Sequence, residues 1–217
     1  MPQVPIDASR TALIYFDMMN CYIHPADAER ERRVLATGIV EYCQEIGRAA
    51  RAVGIPIFYT NGSHRPDGKE YAPTLADANM ELVPWPDGPR LMAPGVAIPG
   101  TPPAEVIPEL RPDPDDWLIE KPRWSAFVGT SLDVVLRGIG VDTVMIAGGS
   151  TDVGVIATVF SARDLGYHVI VLRDACQSQR PGAQDFCMDR LFPRMARVMT
   201  VAQACGLLPG TAPPAPQ

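Results

Sequence analysis

The run from Thr143 to Ala147 is the part of the sequence that most restricts the fold. Its residues are apolar and partly β-branched, a pattern typical of a strand buried on both faces. Residues 148–150 (GGS) end this strand, and a helix is predicted to open at Thr151 and Asp152. Strands buried on both faces occur in parallel sheets covered by helices, so the chain is predicted to be a layered α/β protein.

Further strands of the same kind alternate with helical patterns along the chain. The other predicted strands are 11–16, 55–60, 117–120 and 167–172, with a short apolar piece at 198–199. The predicted helices are one between Asp27 and Gly54, one over 131–137, the one that opens at Thr151, one around 185–194 and one from Val201. This alternation predicts a mostly parallel sheet with helices on both faces.

Two segments fall outside this pattern. Residues 61–114 hold 12 of the 23 prolines and form a long irregular excursion, a feature typical of lids, binding loops or subunit contacts. The residues after Leu208 are mostly Gly, Pro, Ala and Gln. We therefore predict a single domain over residues 1–208 and a disordered tail over 209–217.

Composition excludes several classes of protein. A chain of 217 residues is long enough for one well-cored domain, and its net charge of −6 argues against nucleic acid or an acidic membrane surface as a partner. No apolar run reaches transmembrane length and no signal-peptide pattern begins the chain, so a cytoplasmic location is expected. The five cysteines lack CxxC spacing and predict reduced thiols, with neither a disulfide framework nor a zinc site.

Three predicted strand ends carry residues suited to chemistry. Asp17 follows the first strand, Lys121 ends the strand at 117–120, and the turn at 148–150 follows the central strand. In an open α/β sheet these ends lie at one edge, where a carboxylate and a lysine can act as an acid/base pair. Each residue also has a structural interpretation, since Asp17 could cap a turn and Lys121 could be a solvated loop charge.

The turn before the helix predicts a binding site for negative charge. Small residues let the backbone approach a ligand, and the first N–H groups of a helix have no intrahelical partner. Such groups can bind an anion or a developing oxyanion, and we expect Ser150, Thr151 and Val153 to contact a substrate there. A glycine-rich turn that only packs is the alternative.

Several motifs together resemble those of the isochorismatase-like hydrolases. They are 17–20 (DMMN), 121–127 (KPRWSAF), 148–155 (GGSTDVGV), 161–164 (SARD), 173–175 (RDA) and 193–198 (PRMARV). The resemblance covers nearly the whole chain and implies a Rossmann-like three-layer α/β/α sandwich that assembles as a homo-oligomer, a dimer or a tetramer. It also implies a small-molecule substrate, no cofactor, and a cis peptide in the turn that here is Gly149-Ser150.

The resemblance assigns catalytic roles, with one departure. Many members hydrolyse small amides, ureas and carbamates with an Asp-Lys-Cys triad, whose Asp and Lys correspond to Asp17 and Lys121. The cysteine position is Gly154 here, so an acyl-thioester cannot form at that site. The true isochorismatases also carry glycine there and cleave a vinyl ether by acid catalysis. Alanine or serine is the usual engineered replacement of a cysteine, which favours a natural glycine.

Other segments point to a different branch of the family. Isochorismatases usually have a His two residues before the glycine and a Cys after it, where this chain has Asp152 and Val155. Segments 58–68 and 192–194 look more like the amide hydrolases. Two hypotheses follow: a hydrolase without a covalent intermediate, or an amidase-branch relative that lost its cysteine and only binds. A pocket that is open and polar around Asp17 and Lys121 would favour the first, and a filled pocket the second.

The remaining candidates have modest support. Cys21 lies four residues after Asp17 and is either a displaced nucleophile or a packed small residue. Some relatives bind zinc through Asp and His, but the Asp-x-His spacing is absent around His64, and His24 adds no matching ligand, so no metal is expected. His168 is predicted to be structural. The aromatic residues that could wall a pocket are Tyr22, Trp85, Trp124 and Phe127.

Overall fold

The structure is a computed structural model that describes residues 4–69 and 97–210. Its strands form one six-stranded sheet in the order β3-β2-β1-β4-β5-β6, and every neighbouring pair is parallel. The strands are β1 (Thr11–Phe16), β2 (Ile57–Gly62), β3 (Trp117–Lys121), β4 (Thr143–Gly149), β5 (His168–Gln177) and β6 (Arg197–Met199). The predicted α/β fold with a mostly parallel sheet is confirmed.

Helices cover both faces of this sheet. They are α1 (Asn20–Ile23), α2 (Ala28–Leu35), α3 (Ile39–Ala52), α4 (Leu132–Gly138), α5 (Ile156–Asp164), α6 (Ala183–Phe186) and α7 (Val201–Cys205). Alternate residues of β1 enter two separate cores: Tyr15 packs on the side of α3 and α7, and Phe16 on the side of α4 and α5. All six residues of β1 are buried, as expected for the centre of a doubly covered sheet. None of the described helices is both long and apolar enough to span a membrane.

The strand order places a site between β1 and β4. The chain runs outward from β1 to β3 in one direction and from β4 to β6 in the other, so the order reverses at that pair. The connections leave the sheet on opposite faces there, which opens a crevice at the carboxyl ends of the strands. Asp17 follows β1, and the GGS turn ends β4, so two of the three predicted chemical segments border this crevice.

Local signals explain where the structure differs from the predicted elements. The single helix predicted between Asp27 and Gly54 is two helices, because Gly38 adopts a left-handed φ of 73° between α2 and α3. β2 begins after Pro56 and runs to Gly62, two residues later than predicted. The helix predicted around 185–194 is α6, a π-helical turn (Cys187–Leu191) and a 3-10 turn (Phe192–Arg194), because Pro193 has no N–H with which to continue a regular helix.

The remaining predictions on the irregular segments are partly outside the described residues. Two 3-10 turns, Pro102–Ala104 and Pro108–Leu110, lie within the described part of the excursion. Residues 70–96, with Trp85, and residues 211–217 of the predicted tail lie outside it. β5 continues to Gln177, five residues past the predicted strand, and pairs with β4 across a register shift between Ile146 and Gly148.

Candidate active site

Asp17 and Lys121 form an ion pair at the carboxyl edge of the sheet. The Lys121 Nζ lies 2.8 Å from the Asp17 Oδ2, and the Gly62 N–H donates to the Asp17 Oδ1 over 2.8 Å. Asp17 has a left-handed backbone with φ of 50°, which is uncommon outside glycine and turns its carboxyl group back toward β2. The ends of β1, β2 and β3 thus meet at one carboxylate.

The Asp17–Lys121 pair is buried, and burial changes the pKa of its carboxyl group. Asp17 is 8% exposed and Lys121 is 4% exposed. Burial raises the pKa of Asp17 above its ordinary value, although the Lys121 ammonium and the Gly62 N–H act in the opposite direction. A carboxyl group whose pKa is moved toward neutrality can give or take a proton during a reaction.

The GGS turn connects β4 to the following helix, as predicted. The peptide bond between Gly149 and Ser150 is cis. The Ser150 hydroxyl donates to the Asp152 carboxylate, whose other oxygen lies 3.1 Å from the Arg180 Nη1. Burial raises the pKa of Asp152, but the hydrogen bonds from Ser150 and Ser178 and the charge of Arg180 outweigh it and hold the pKa below its ordinary value. Asp152 is therefore an ionised anchor for the turn.

The helix predicted from Thr151 begins as a π-helical turn (Thr151–Val155) and becomes α-helical at Ile156. The N–H of Val153 and the N–H of Val155 both donate to the Ser150 carbonyl, over 3.3 Å and 3.1 Å. Val153 therefore holds its N–H in a long bond within the turn. The Thr151 side chain is fully buried, and its hydroxyl has no hydrogen-bond partner among the described residues.

Phe16 occupies the space in front of Gly154. A Cβ atom placed on Gly154 would lie 2.2 Å from the Cε1 and 2.3 Å from the Cζ of the Phe16 ring, far inside van der Waals contact. The Lys121 Nζ lies 4.3 Å from the centroid of the same ring. The sequence analysis treated Phe16 only as the end of a strand. A large aromatic residue directly before Asp17 in a chain with glycine at 154 was the available signal, but only the folded geometry shows that the two meet.

The predicted aromatic walls have different environments. Phe127 is 7% exposed and packs against the Tyr167 ring with centroids 5.5 Å apart, so it belongs to the core on the α5 side. Trp124 is 57% exposed, and Tyr22 is partly buried on α1. Substrate contacts by Tyr22 and Trp124 stay predictions.

The Cys21 thiol has a raised pKa. It is half-buried on α1, and burial together with the negative charge of Asp17 raises its pKa to about 11. The thiolate, not the thiol, is the reactive nucleophile, so Cys21 is a weak nucleophile at neutral pH. This environment supports the packed-residue interpretation.

The histidines have distinct surroundings. His24 contacts Glu31 over 2.9 Å and Glu109 over 3.1 Å, linking α1 to α2 and to the turn at Pro108–Leu110. His168 is the exposed first residue of β5. Within residues 4–69 and 97–210, no three side chains of the metal-ligating types form a cluster.

Comparison with known proteins gives a consistent family signal. The family model described as the isochorismatase domain matches residues 11–203. The chain is 33% identical over 195 residues to a ureidoacrylate amidohydrolase, RutB, of Methylorubrum extorquens, covering 83% of this chain and 75% of that protein.

Two solved structures share the whole architecture. A cysteine hydrolase from Pseudomonas syringae pv. phaseolicola superposes with a TM-score of 0.78 at 28% identity, covering 95% of this chain and 97% of that one. An N-carbamoylsarcosine amidase from Thermoplasma acidophilum gives a TM-score of 0.66 at 30% identity, covering 88% and 96%.

Proposed function

The chain belongs to the isochorismatase family of hydrolases, and we propose that it hydrolyses a small molecule without a covalent cysteine intermediate. The observation that carries this proposal is the ion pair of Asp17 and Lys121, 2.8 Å apart, near Gly154, which the family resemblance assigns to the nucleophile position. Asp17 transfers the proton, and Lys121 stabilises the carboxylate whenever the proton has left. Water supplies the oxygen that is added to the substrate.

One substrate class is a vinyl ether of the isochorismate kind. Protonated Asp17 gives its proton to the terminal carbon of the enol ether, and an oxocarbenium ion forms. Water adds to this cation, the resulting hemiketal separates into an alcohol and a ketone, and the proton released from the water returns to Asp17. The glycine at 154 and the raised pKa of Asp17 support this class.

The other substrate class is a small amide or urea. Asp17 as a carboxylate takes a proton from water, and the hydroxide attacks the carbonyl carbon. The Lys121 ammonium and the backbone N–H of Gly154 stabilise the oxyanion, joined by the Val153 N–H if it exchanges its long bond to the Ser150 carbonyl for the substrate, until the amine leaves with a proton from Asp17. The similarity to an amidohydrolase and to an amidase supports this class.

A second candidate function is binding without catalysis. Phe16 fills the space in front of Gly154, and Asp17 and Lys121 expose little of their surface. These features favour an amidase-branch protein that keeps the fold and holds a small ligand or a partner subunit.

Assembly and location complete the proposal. We expect a homo-oligomer, a dimer or a tetramer, as the family resemblance suggests, and a cytoplasmic location. Light scattering coupled to size-exclusion chromatography measures the mass of the assembly, and a monomer at working concentration would contradict the expectation.

The test is a turnover assay with matched carboxylate variants. The purified protein is supplied with isochorismate and with a panel of small amides, ureas and carbamates, beside Asp17→Asn and Asp116→Asn. Asp116 is the control because its side chain is only 4% exposed and pairs with Arg51 near the start of β3. We expect Asp17→Asn to lower turnover by about 10² to 10⁴ and Asp116→Asn to leave kcat within about threefold. Tight binding of a panel compound without turnover would instead favour the second candidate.

A further inference from the structure

Phe16 lies in close contact with two glycines, Gly154 at its ring and Gly148 at its backbone. A Cβ on Gly154 would collide with the ring at 2.2 Å, and a Cβ on Gly148 would lie 2.1 Å from the Phe16 carbonyl oxygen. Phe16 also pairs with Thr60 on β2 and with Gly148 on β4, and its side chain is fully buried. The backbone is therefore held by strand pairing on both sides, and the ring is closely packed in the core, without contact to solvent.

The same ring contacts the charged half of the site. The Lys121 Nζ lies 4.3 Å from the ring centroid and 2.8 Å from the Asp17 Oδ2. A buried ammonium is attracted to the face of an aromatic ring, and this attraction increases when water is excluded. Phe16 thus lies between the start of the helix and the ammonium that pairs with Asp17.

We propose that Phe16 is a positioning residue, interlocked with Gly154, that fills the place of a side-chain nucleophile and holds the Lys121 ammonium against Asp17. The second half of this inference rests on the proposed function, and the first half does not. In this arrangement glycine at 154 is required by the ring, and a thiol cannot be restored there by one substitution. The Phe16 ring also occupies the space beside Gly154 at the start of the helix. The site is smaller there by the volume of a phenyl ring, and substrates that would extend toward Gly154 are excluded.

A double-mutant cycle tests the interlock without any substrate. Gly154→Ala in the otherwise unchanged protein forces the ring to move, and we expect the melting temperature to fall by roughly 3 to 10 °C. In a Phe16→Val background the same change fills vacated space, and the fall should be less than about 2 °C or should become a rise. Equal falls in both backgrounds would overturn the interlock.

Gly138→Ala is the matched control for this cycle. Gly138 ends α4, and a Cβ added there meets nothing within 4 Å. Its melting temperature should stay level or rise slightly in both backgrounds, because alanine is the better helix former. Phe16→Leu replaces Phe16→Val if the valine variant is not recovered folded, and a folded Gly154→Ala protein obtained only in that background supports the interlock equally.

A thiol reagent tests the exclusion of a nucleophile. Gly154→Cys is treated with iodoacetamide in native buffer, with and without Phe16→Val, and the peptide that contains position 154 is followed by mass spectrometry. We expect at least tenfold faster alkylation in the double variant, because the ring no longer occupies the space of the side chain. Equal alkylation rates in the two proteins would contradict the inference.

The pH profile of turnover tests the positioning of Lys121. Phe16→Leu should move the apparent pKa of the Asp17 limb upward by about 0.5, because a less firmly held ammonium stabilises the carboxylate less. Phe58→Leu is the control, since Phe58 is fully buried in the same core but stacks on Trp117. An unmoved profile in Phe16→Leu would overturn the positioning role. The absence of any turnover by the unchanged protein would count against the proposed function alone, because the stability cycle and the alkylation still test the interlock.

Discussion

The two ends of β3 each hold a buried carboxylate in an ion pair, and the two pairs differ in their surroundings. At the amino end, the Asp116 carboxylate accepts hydrogen bonds from the Nη1 and Nη2 of Arg51 and from the N–H of Asp113. Arg51 is 36% exposed, so this charge keeps part of its hydration. At the carboxyl end, Lys121 and Asp17 are 5% and 10% exposed in their side chains and share a single hydrogen bond.

This difference shows why only one pair is suited to chemistry. A carboxylate saturated by a planar guanidinium fork is a structural link between α3 and β3. The Asp17 carboxylate has fewer donors, lies at the edge where the strand order reverses, and is 8% exposed. Each hydrogen bond to a carboxylate stabilises its ionised form. A carboxylate with few donors therefore accepts a proton more readily than one held by several donors, and is better suited to proton transfer.

The largest expected difference between the two ends follows removal of the cation. Lys121→Met leaves Asp17 buried without its partner, and we expect the free energy of unfolding to fall by about 3 to 5 kcal/mol. Arg51→Met leaves the Asp116 carboxylate, 4% exposed, with the Asp113 N–H as a donor and with exposed neighbours at Asp115 and Trp117, so the carboxylate can turn toward solvent and the cost should be smaller, about 1 to 2 kcal/mol. Urea unfolding at neutral pH measures both costs, and equal costs would show that the surroundings of the two carboxylates do not distinguish the pairs.

The next prediction concerns the pH dependence of stability. Burial raises the pKa of Asp17. The contribution of Asp17 to the free energy of unfolding is therefore fully present below the ordinary pKa of 3.8 and is lost as the pH rises through the pKa of the folded protein. The pKa of Asp142, near the amino edge, is lowered by the hydrogen bond from Arg10, so its contribution is present above 3.8 and is lost as the pH falls through the folded pKa. The two carboxylates should therefore show opposite slopes.

Asn variants separate these slopes experimentally. The unfolding free energy of the unchanged protein minus that of Asp17→Asn should decrease as the pH rises above about 4, by at most about 1.4 kcal/mol per pH unit. The corresponding difference for Asp142→Asn should decrease as the pH falls below about 4. Parallel slopes would contradict the assigned environments.

The smallest expected effect is at the GGS turn. Asp152→Asn weakens the bonds to Ser150 and Arg180, and we expect a loss of about 1 kcal/mol in unfolding free energy with kcat lowered only a few-fold. The reason is that Asp152 anchors the turn and does not carry the proton. A loss of turnover as large as that of Asp17→Asn would instead place Asp152 among the proton-transfer groups.

The sequence predicted the edge of the site better than its interior. Asp17, Lys121 and the GGS turn could be placed together because parallel strands bring their carboxyl ends to one side of a sheet. The break at Gly38 and the π-helical turn at Thr151–Val155 depend on local backbone choices that a periodic pattern does not show. The contact of Phe16 with Gly154 could not be predicted, because it depends on how far the ring reaches across the space between β1 and the helix.

The most direct test of the central claim is the intact mass of the protein during turnover. A reaction with the best substrate of the panel is quenched in acid in the steady state and analysed by mass spectrometry. We predict an unchanged mass while product accumulates, and unchanged turnover in Cys21→Ser, because Asp17 and Lys121 act on water. A mass increase that matches a substrate fragment bound to Cys21 or another cysteine would contradict hydrolysis without a covalent intermediate.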